Sequence, residues 1–155
     1  FHFAAAGLWY AVSHSSEDEF NKARAWKLIE ALSITGATTL GLKAIVNDNC
    51  PNGKKWGWPS GHTSSSFTVA AVLDEYYGHG VGVPAYMGAG LVAYRMMDTG
   101  DHWASDVLFG MVLGHIVGHQ VAGDGKNFNV AGFELLPYID SYQQAGVGVS
   151  LVKKF

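Results

Sequence analysis

The segment Pro59-Ser60-Gly61-His62-Thr63-Ser64, at positions 59–64, leads from a proline- and glycine-containing loop into a run that we predict to be helical, from about His62 to Tyr77. A glycine at the start of a helix lets backbone N–H groups approach an anion closely, and the helix N-terminus adds a partial positive charge. Ser60 supplies a hydroxyl donor, and His62 could pass a proton to a departing alkoxide. This segment indicates an anion site but does not establish one by itself, because Ser-Gly turns often precede helices.

A second polar segment lies downstream, where Arg95 is followed by His102 and Asp106. We predict a helix from about His102 to Val121, which would put His102 and Asp106 on one helix face. A carboxylate there can hold one imidazole nitrogen and leave the other to attack, as in a serine triad with histidine as the nucleophile. Arg95 offers planar, bidentate donors to phosphate oxygens. Each residue also has an ordinary explanation, as a surface helix pair or as a charge at a helix end.

Together, these segments resemble the motifs of the phosphatidic acid phosphatase type 2 and vanadium haloperoxidase superfamily. That family has a lysine, six residues and Arg-Pro, then Pro-Ser-Gly-His, then Ser-Arg, five residues, His, three residues and Asp. In this chain the three motifs are Lys43 with Cys50-Pro51, the complete segment at 59–62, and Tyr94-Arg95 with His102 and Asp106. The resemblance extends roughly over residues 43–114.

The resemblance implies a role for each matching residue. His102 would be the nucleophile that forms a phosphohistidine, Asp106 would orient it, and His62 would protonate the leaving oxygen. The residues that would bind phosphate oxygens and stabilise the transition state electrostatically are Lys43, Ser60, Gly61 and Arg95. The resemblance also implies no metal and no other cofactor, and vanadate, a phosphate mimic, is expected to inhibit.

Three departures from the family pattern bear on activity. Cys50 stands in place of the arginine, and by analogy with other lost oxyanion donors this would cost on the order of 10²–10³ in rate. Six residues rather than five separate Arg95 from His102, and we expect the turn at 98–100 to absorb the extra residue. Tyr94 replaces a serine. Lys54 and Lys55 lie in the same loop as Cys50 and are candidates to compensate for the missing arginine.

The predicted activity is metal-independent hydrolysis of phosphomonoesters or diphosphates through a phosphohistidine. Lipid phosphates are the leading substrates, and a soluble, broad acid phosphatase is the close alternative. A vanadate-dependent haloperoxidase would use the same residues, with His102 as the vanadium ligand. A weakened phosphate-binding relic is the non-enzymatic alternative, because Cys50 replaces the arginine. A cysteine phosphatase is excluded, since the residue six positions after Cys50 is Trp56 rather than arginine.

The composition of the chain limits which partners and which cellular location we expect. The 155 residues suit one domain, the formal net charge is −3, and 48% of the residues are hydrophobic against 15% charged. The negative charge argues against a nucleic-acid partner. No uninterrupted apolar run reaches the ~18 residues typical of a membrane span, so a soluble helical domain and a membrane protein with short or polar-lined spans both stay open. We expect a bacterial-type cell envelope location, periplasmic or membrane-associated, with contact to a membrane surface. The oligomeric state is left open.

The pattern predicts a mainly α fold, a bundle of about five helices of the acid phosphatase/vanadium-dependent haloperoxidase type, in a single domain over residues 1–155. Helices are expected over about 1–13, 17–46 with a break near Gly36, 62–77, 85–97 and 102–121, and residues 78–84 are expected to form a connector. Ser16 and Glu19 fit a capping box for the second helix. Strand-like segments over 131–139 and 146–152 predict a short C-terminal β-hairpin, in a β-like tail over 130–155.

Several other residues receive structural interpretations. Glycines inside apolar stretches predict close helix packing, at Gly82, Gly88, Gly90, Gly110, Gly114 and Gly118. His115 and His119 form a further i, i+4 pair, but a metal site needs three or four ligands, and no acidic or cysteine partner is near them in the sequence. We therefore predict no metal there. Asp74-Glu75 is interpreted as a solvated helix end, and the terminal Phe155 is not interpreted as the signal of a barrel.

Overall fold

The computed structural model describes residues 2–15, 18–123, 128–130, 133–140 and 146–153, with side chains within 2–14 and 18–123. Ser16 and Phe155 fall outside these residues. Within the described part of the chain, the mainly helical fold is as predicted, with five helices. They are α1 (His2–Ser15), α2 (Glu19–Val46), α3 (Gly61–Tyr77), α4 (His79–Asp98) and α5 (Ala104–Ala122). Three antiparallel strands follow in the order β1 (Phe128–Val130), β2 (Phe133–Asp140) and β3 (Gly146–Lys153).

Helix α3 is the centre of the bundle, because α2, α4 and α5 all pack against it. Its interface with α2 buries hydroxyl groups, which pair with one another. The Oγ1 atoms of Thr35 and Thr68 lie 2.8 Å apart, and Thr39 Oγ1 lies 3.1 Å from Ser64 Oγ. These bonds satisfy polar groups that would otherwise destabilise a buried interface. The contacts fix α2, and with it Lys43, relative to the first turns of α3.

Glycines bring α5 close to α3, as the sequence predicts for part of the set. A Cβ atom at Gly110 would lie 2.8 Å from the carbonyl oxygen of Ser60, and one at Gly114 would overlap the carbonyl oxygen of Ser64. Gly82 and Gly118 are similarly close to α3, whereas a Cβ at Gly88 or Gly90 would meet no atom within 4 Å. The prediction is therefore confirmed for four of these glycines and wrong for the other two, which face open space.

Replacing Gly114 with alanine is expected to lower the free energy of unfolding by about 1–3 kcal/mol, the usual cost of overpacking. The new methyl group would press on backbone atoms of α3, which cannot move aside as a side chain can. Gly88→Ala is the matched control, because it adds a methyl group to an open helix position and should be neutral or stabilising by up to about 1 kcal/mol. Denaturant unfolding measures both, and equal stability of the two variants would refute the packing argument.

Three helix boundaries differ from the sequence prediction. Helix α2 continues through Gly36 without a break, because Thr35 and Thr39 on either side are held against α3. The predicted connector at 78–84 is wrong, because α4 begins at His79 and includes Pro84. A proline removes one helical hydrogen bond, and the packing of α4 on α3 offsets that loss. Helix α5 begins at Ala104 rather than at His102, which changes the geometry of the predicted pair of His102 and Asp106.

Helix α2 is capped by a residue other than the predicted one. Asp18 is the N-cap, and its Oδ1 accepts a hydrogen bond of 3.0 Å from the backbone N–H of Asn21. A carboxylate in this position satisfies one of the unpaired N–H groups and is also favoured by the helix dipole. The capping box with Glu19 is therefore not the arrangement at this helix start.

A polar cluster joins α3, α4 and α5 at the end of the bundle away from the predicted catalytic residues. Tyr86 Oη lies 2.6 Å from His115 Nδ1 and 3.2 Å from His119 Nε2, and His119 Nδ1 lies 3.1 Å from Glu75 Oε2. The two histidines thus have an acidic neighbour that is distant in sequence. The interpretation of Asp74-Glu75 as a solvated helix end is wrong, because their side chains are only 12% and 25% exposed.

Among the residues that the structure describes, no group of three or more histidine, cysteine, aspartate or glutamate side chains is arranged to hold a metal ion. In the same part of the chain, one helix is long and apolar enough to cross a membrane, namely α2 over Glu19–Val46. Mean hydropathy over a window tolerates occasional charged residues, which is why an uninterrupted apolar run did not identify it.

Candidate active site

The first turn of α3 is built by the segment Pro59–His62. Ser60 is the N-cap, and its Oγ accepts a hydrogen bond from the backbone N–H of Thr63 at 3.4 Å and lies 2.9 Å from Thr63 Oγ1. Ser60 is fully buried, so its hydroxyl group caps the helix inside the protein. Gly61 and His62, which follow, line an open cleft. The cleft therefore meets the helix N-terminus through Gly61 and His62.

The third motif meets this turn directly, since the backbone N–H of Ser60 donates to the carbonyl oxygen of Asp106 at 3.0 Å. Asp106 lies in the first turn of α5 and is almost fully buried. Its Oδ2 accepts a hydrogen bond of 2.9 Å from the backbone N–H of Trp103, and its Oδ1 accepts one of 3.1 Å from Ser105 Oγ. The carboxylate thus caps the helix that carries it.

His102 precedes α5, and its Nδ1 lies 3.4 Å from Asp106 Oδ2. The predicted pairing of these two side chains is present, but it does not arise from a shared helix face. The chain turns at Trp103 and folds His102 back over the first helical turn, where the same carboxylate oxygen caps the helix and faces the imidazole. His102 is also buried, although it lines the cleft.

Burial lowers the pKa of His102 below its ordinary value, and the positive charge of Lys43 lowers this pKa further. The hydrogen bond and charge of Asp106, together with a hydrogen bond to the carbonyl group of Gly57, act in the opposite direction. The net effect keeps the imidazole neutral over a wider pH range. A neutral imidazole is the form that has a lone pair available for attack.

Lys43, near the C-terminal end of α2, reaches across the cleft. Its Nζ donates hydrogen bonds to the carbonyl oxygens of Trp56 and Gly57, the latter at 3.2 Å. These bonds attach α2 to the loop that precedes Pro59, so that Lys43 both braces the loop and contributes a positive charge beside His102.

The cleft has a volume of about 620 Å³. The predicted site residues that line it are Lys43, Lys54, Lys55, Gly61, His62 and His102. Cys50, the residue in place of the family arginine, is buried and also lines the cleft. The structure thus brings together residues from all three motifs, with lysines around two histidines. Such a site favours an anionic ligand over a cationic one.

Arg95 is not brought to the cleft. Its side chain is 63% exposed and pairs with Asp98 at 3.3 Å on the surface of α4. Helix α4 ends at Asp98 and Gly100 adopts a positive φ of 68°, so the chain turns between Arg95 and His102. That this turn absorbs the additional residue stays a prediction. The role of Arg95 in binding phosphate stays a prediction.

Two further titratable residues that the sequence did not single out also line the cleft, Asp101 and His2. Asp101 accepts a hydrogen bond of 2.9 Å from Asn52 Nδ2 and thereby links the loop of the first motif to the turn before His102. Its position next to His102 was a signal that could have identified it. His2 is 60 residues from the second motif and has no sequence signal.

The family model described as the PAP2 superfamily matches residues 24–124, which include all three motifs. The chain belongs to the PAP2 superfamily. The resemblance seen in the motifs is thereby confirmed, and membership of the PAP2 superfamily supports a phosphatase, that is, a phosphoric-ester hydrolase. The match ends at residue 124, so it does not extend to the C-terminal strands, and the predicted β-hairpin has no support from it.

A solved structure, the crystal structure of LpxE from Aquifex aeolicus, is similar to this PAP2 chain. It shares 24% sequence identity with a TM-score of 0.64, and the match covers 79% of this chain and 82% of the LpxE chain. At that identity the likeness concerns the fold, and it agrees with the helical bundle described above. No curated protein matches the chain.

Proposed function

We propose that this PAP2 chain is a metal-independent phosphatase that hydrolyses phosphomonoesters or diphosphates, with lipid phosphates as the leading substrates, through a phosphohistidine intermediate. The observation that carries the proposal is the placement of His102, whose Nδ1 faces the buried carboxylate of Asp106 while the residue lines the same cleft as His62. With Nδ1 held by Asp106, Nε2 is the nitrogen for attack on phosphorus.

In the first step, Nε2 of His102 attacks the phosphorus atom, and the bond between phosphorus and the ester oxygen breaks. His62 donates a proton to the leaving oxygen, so that the product departs as an alcohol. In the second step, water attacks phosphorus while His62 takes a proton from it, and the bond between phosphorus and Nε2 breaks. Inorganic phosphate leaves, and His102 is restored as a neutral imidazole. Lys43 and the N-terminus of α3 at Gly61 and His62 stabilise the phosphate oxygens in both steps.

Trapping the intermediate tests this proposal. The chain is mixed with ³²P-labelled phosphate ester in the presence of a chelator and quenched within one turnover. We expect label on the protein that is lost in acid and kept in alkali, as a phosphoramidate requires. His102→Ala should carry no label, and vanadate should prevent labelling. Label that is alkali-labile, or that is unchanged in His102→Ala, would overturn the phosphohistidine mechanism.

We expect the acidic limb of the pH profile of kcat/KM to lie below the ordinary histidine pKa of about 6.5. Burial and the charge of Lys43 lower the pKa of His102, so His102 stays nucleophilic until the pH falls through that lowered value. Lys43→Met removes the positive charge, which should raise the pKa of His102 and move the limb to higher pH. The prediction fails if the limb keeps its position in Lys43→Met.

Lys54 and Lys55 are proposed to supply the positive charge that the family arginine would bring. Both line the cleft, and Lys54 shares the loop in which Cys50 N–H donates to the Lys54 carbonyl oxygen at 2.7 Å. Replacing both lysines with alanine should lower kcat/KM by roughly 10–100-fold, because a hydrogen bond to a charged group contributes about 1.5–3 kcal/mol. Lys27→Ala is the matched control, because Lys27 lies on α2, does not line the cleft and pairs with Glu30. Unchanged turnover in the double variant would remove this role.

A weakened site is the second candidate function, favoured by Cys50 in the cleft and by Arg95 outside it. Cys50→Arg separates the two candidates. A large gain in phosphatase activity would mean that the native site binds phosphate without efficient turnover, whereas an efficient native enzyme should gain little from the new arginine.

The lipid substrate and the location are proposed together. Apolar side chains are exposed on one stripe of α4, with Met87 at 69% and Leu91 at 71%, and on one stripe of α5, with Leu108 at 61% and Val112 at 57%. Large exposed apolar surfaces are typical of protein or membrane contacts. We propose contact with a membrane surface in a bacterial-type cell envelope, which would bring the cleft to lipid phosphates. Co-flotation of the chain with anionic lipid vesicles tests this contact.

A further inference from the structure

The cleft is larger than the reacting group needs. A volume of about 620 Å³ falls within the range of pockets that enclose an organic ligand of drug size, which is much more than a phosphate group needs. The lysines and histidines around His102 account for one part of the lining. The rest of the cleft is available to another part of the same ligand.

A second part of the lining comes from α1 and α2, and its large apolar residues are Phe3, Leu32 and Leu40. Thr35 and Thr39 also line it, and their hydroxyl groups are paired with α3. Leu32, Gly36 and Leu40 follow one another at intervals of four residues, so they form one stripe along α2, and all three line the cleft. A Cβ atom at Gly36 would meet no other atom within 4 Å. The stripe is therefore interrupted, between two leucines, by a residue that leaves the cleft open.

The first turn of α1 contributes His2 and Phe3 to the lining of the cleft. His2 Nε2 lies 3.2 Å from Ser66 Oγ on α3, and Ser66 is one helical turn after His62. This contact places the start of α1 next to the proposed acid that protonates the leaving oxygen. Helix α1 lies outside the residues matched by the PAP2 family model, which begin at residue 24.

We propose that Phe3 of α1, together with Leu32, Gly36 and Leu40 of α2, forms the leaving-group subsite, which takes the hydrocarbon chain of the alcohol released by the reaction. The inference rests on the proposed phosphatase function. The subsite is continuous with the phosphate end of the same cleft and lies on the side of His62, where the leaving oxygen must be. The open position at Gly36 sets how bulky a chain can pass along α2.

The test compares Gly36→Leu with Gly41→Leu. A Cβ atom at Gly41 also meets nothing within 4 Å, and Gly41 is on the same helix but does not line the cleft, so it controls for the change in helix propensity and surface hydrophobicity. The readout is the ratio of kcat/KM for decyl phosphate to kcat/KM for p-nitrophenyl phosphate, which has no alkyl chain. Burying each methylene group contributes about 0.8 kcal/mol, so blocking two or more of them should lower this ratio by about 10-fold or more.

We expect the ratio to fall in Gly36→Leu and to keep its native value in Gly41→Leu. Phe3→Ala should also lower the ratio. Leu8→Ala, on an exposed part of α1, is its control and should keep the native ratio. Competitive inhibition of p-nitrophenyl phosphate hydrolysis gives an independent measurement. Gly36→Leu should weaken inhibition by decylphosphonate much more than inhibition by methylphosphonate. An unchanged ratio, or equal weakening of both phosphonates, would overturn the subsite.

Failure of the subsite and failure of the proposed function give different results. If the native chain hydrolyses p-nitrophenyl phosphate in a His102-dependent manner while Gly36→Leu keeps the native ratio, only the subsite is wrong. If the native chain hydrolyses neither ester, the phosphatase proposal falls, and the leaving-group subsite falls with it.

Discussion

His102→Ala is expected to lower kcat by on the order of 10⁴–10⁶-fold, because removal of a nucleophile leaves only the contribution of binding and oxyanion stabilisation. The structure places the imidazole of His102 both against the buried carboxylate of Asp106 and on the cleft. Hydrolysis of p-nitrophenyl phosphate in the presence of a chelator measures the loss.

His14→Ala is the matched control, since His14 is exposed on α1 and does not line the cleft. It should retain the native kcat. The His102→Ala protein should still bind vanadate or phosphate through Lys43 and the N-terminus of α3, which separates lost chemistry from lost folding. If His102→Ala keeps more than about one-hundredth of the native kcat, His102 is not the nucleophile, because removal of a nucleophile costs more than that.

The sequence was sufficient to predict the family, the five helices of the described residues and several of the residues that meet at the cleft. Motif order carries this information, because Lys43, His62 and His102 are separated by long segments yet converge on one cleft. Spacing within a motif was less informative. His102 and Asp106 are four residues apart, which predicts a shared helix face, but α5 begins at Ala104 because the carboxylate of Asp106 caps it.

The direction of a side chain at the end of a helix was not predictable. Arg95 has the right place in the motif, but the rotation of α4 about its axis decides which way it points, and that rotation follows from packing of α4 on α3. Gly82 is part of this packing, since a Cβ atom there would collide with Asp74. Ser60 illustrates a similar limit, because its hydroxyl group can serve a ligand or a helix cap, and burial selects the cap.

Contacts between distant elements were also beyond the sequence. Glu75 and His119 are 44 residues apart and meet only because α3 and α5 lie side by side. The wall of the cleft formed by α1 has the same origin, since the contact of His2 with Ser66 spans 64 positions. Such pairs have no local periodicity, so residues of this kind become candidates only when the helices are assembled.

Asp106→Asn is expected to lower kcat by roughly 10²–10⁴-fold with little change in stability, as for the orienting carboxylate of a serine triad. An asparagine can keep the geometry: its oxygen can accept the hydrogen bonds of Trp103 N–H and His102 Nδ1–H, and its amide group can donate to Ser105 Oγ. What it removes is the negative charge. The imidazole ring becomes positive when Nε2 bonds to phosphorus, and a buried carboxylate stabilises that charge strongly because little water screens it.

Asp106→Ala separates the two functions of this carboxylate. Alanine removes the helix cap as well as the charge, so this variant should also lose about 0.5–2 kcal/mol of stability, seen as a lower midpoint of denaturant unfolding. Asp106→Asn should unfold at nearly the native midpoint and yet turn over slowly. Ser105→Ala, which removes only the bond to Oδ1, is the matched control and should change kcat by a few-fold at most, since one neutral hydrogen bond contributes about 1 kcal/mol. Near-native kcat in a folded Asp106→Asn protein would mean that no positive charge develops on His102, and attack by that imidazole would have to be abandoned.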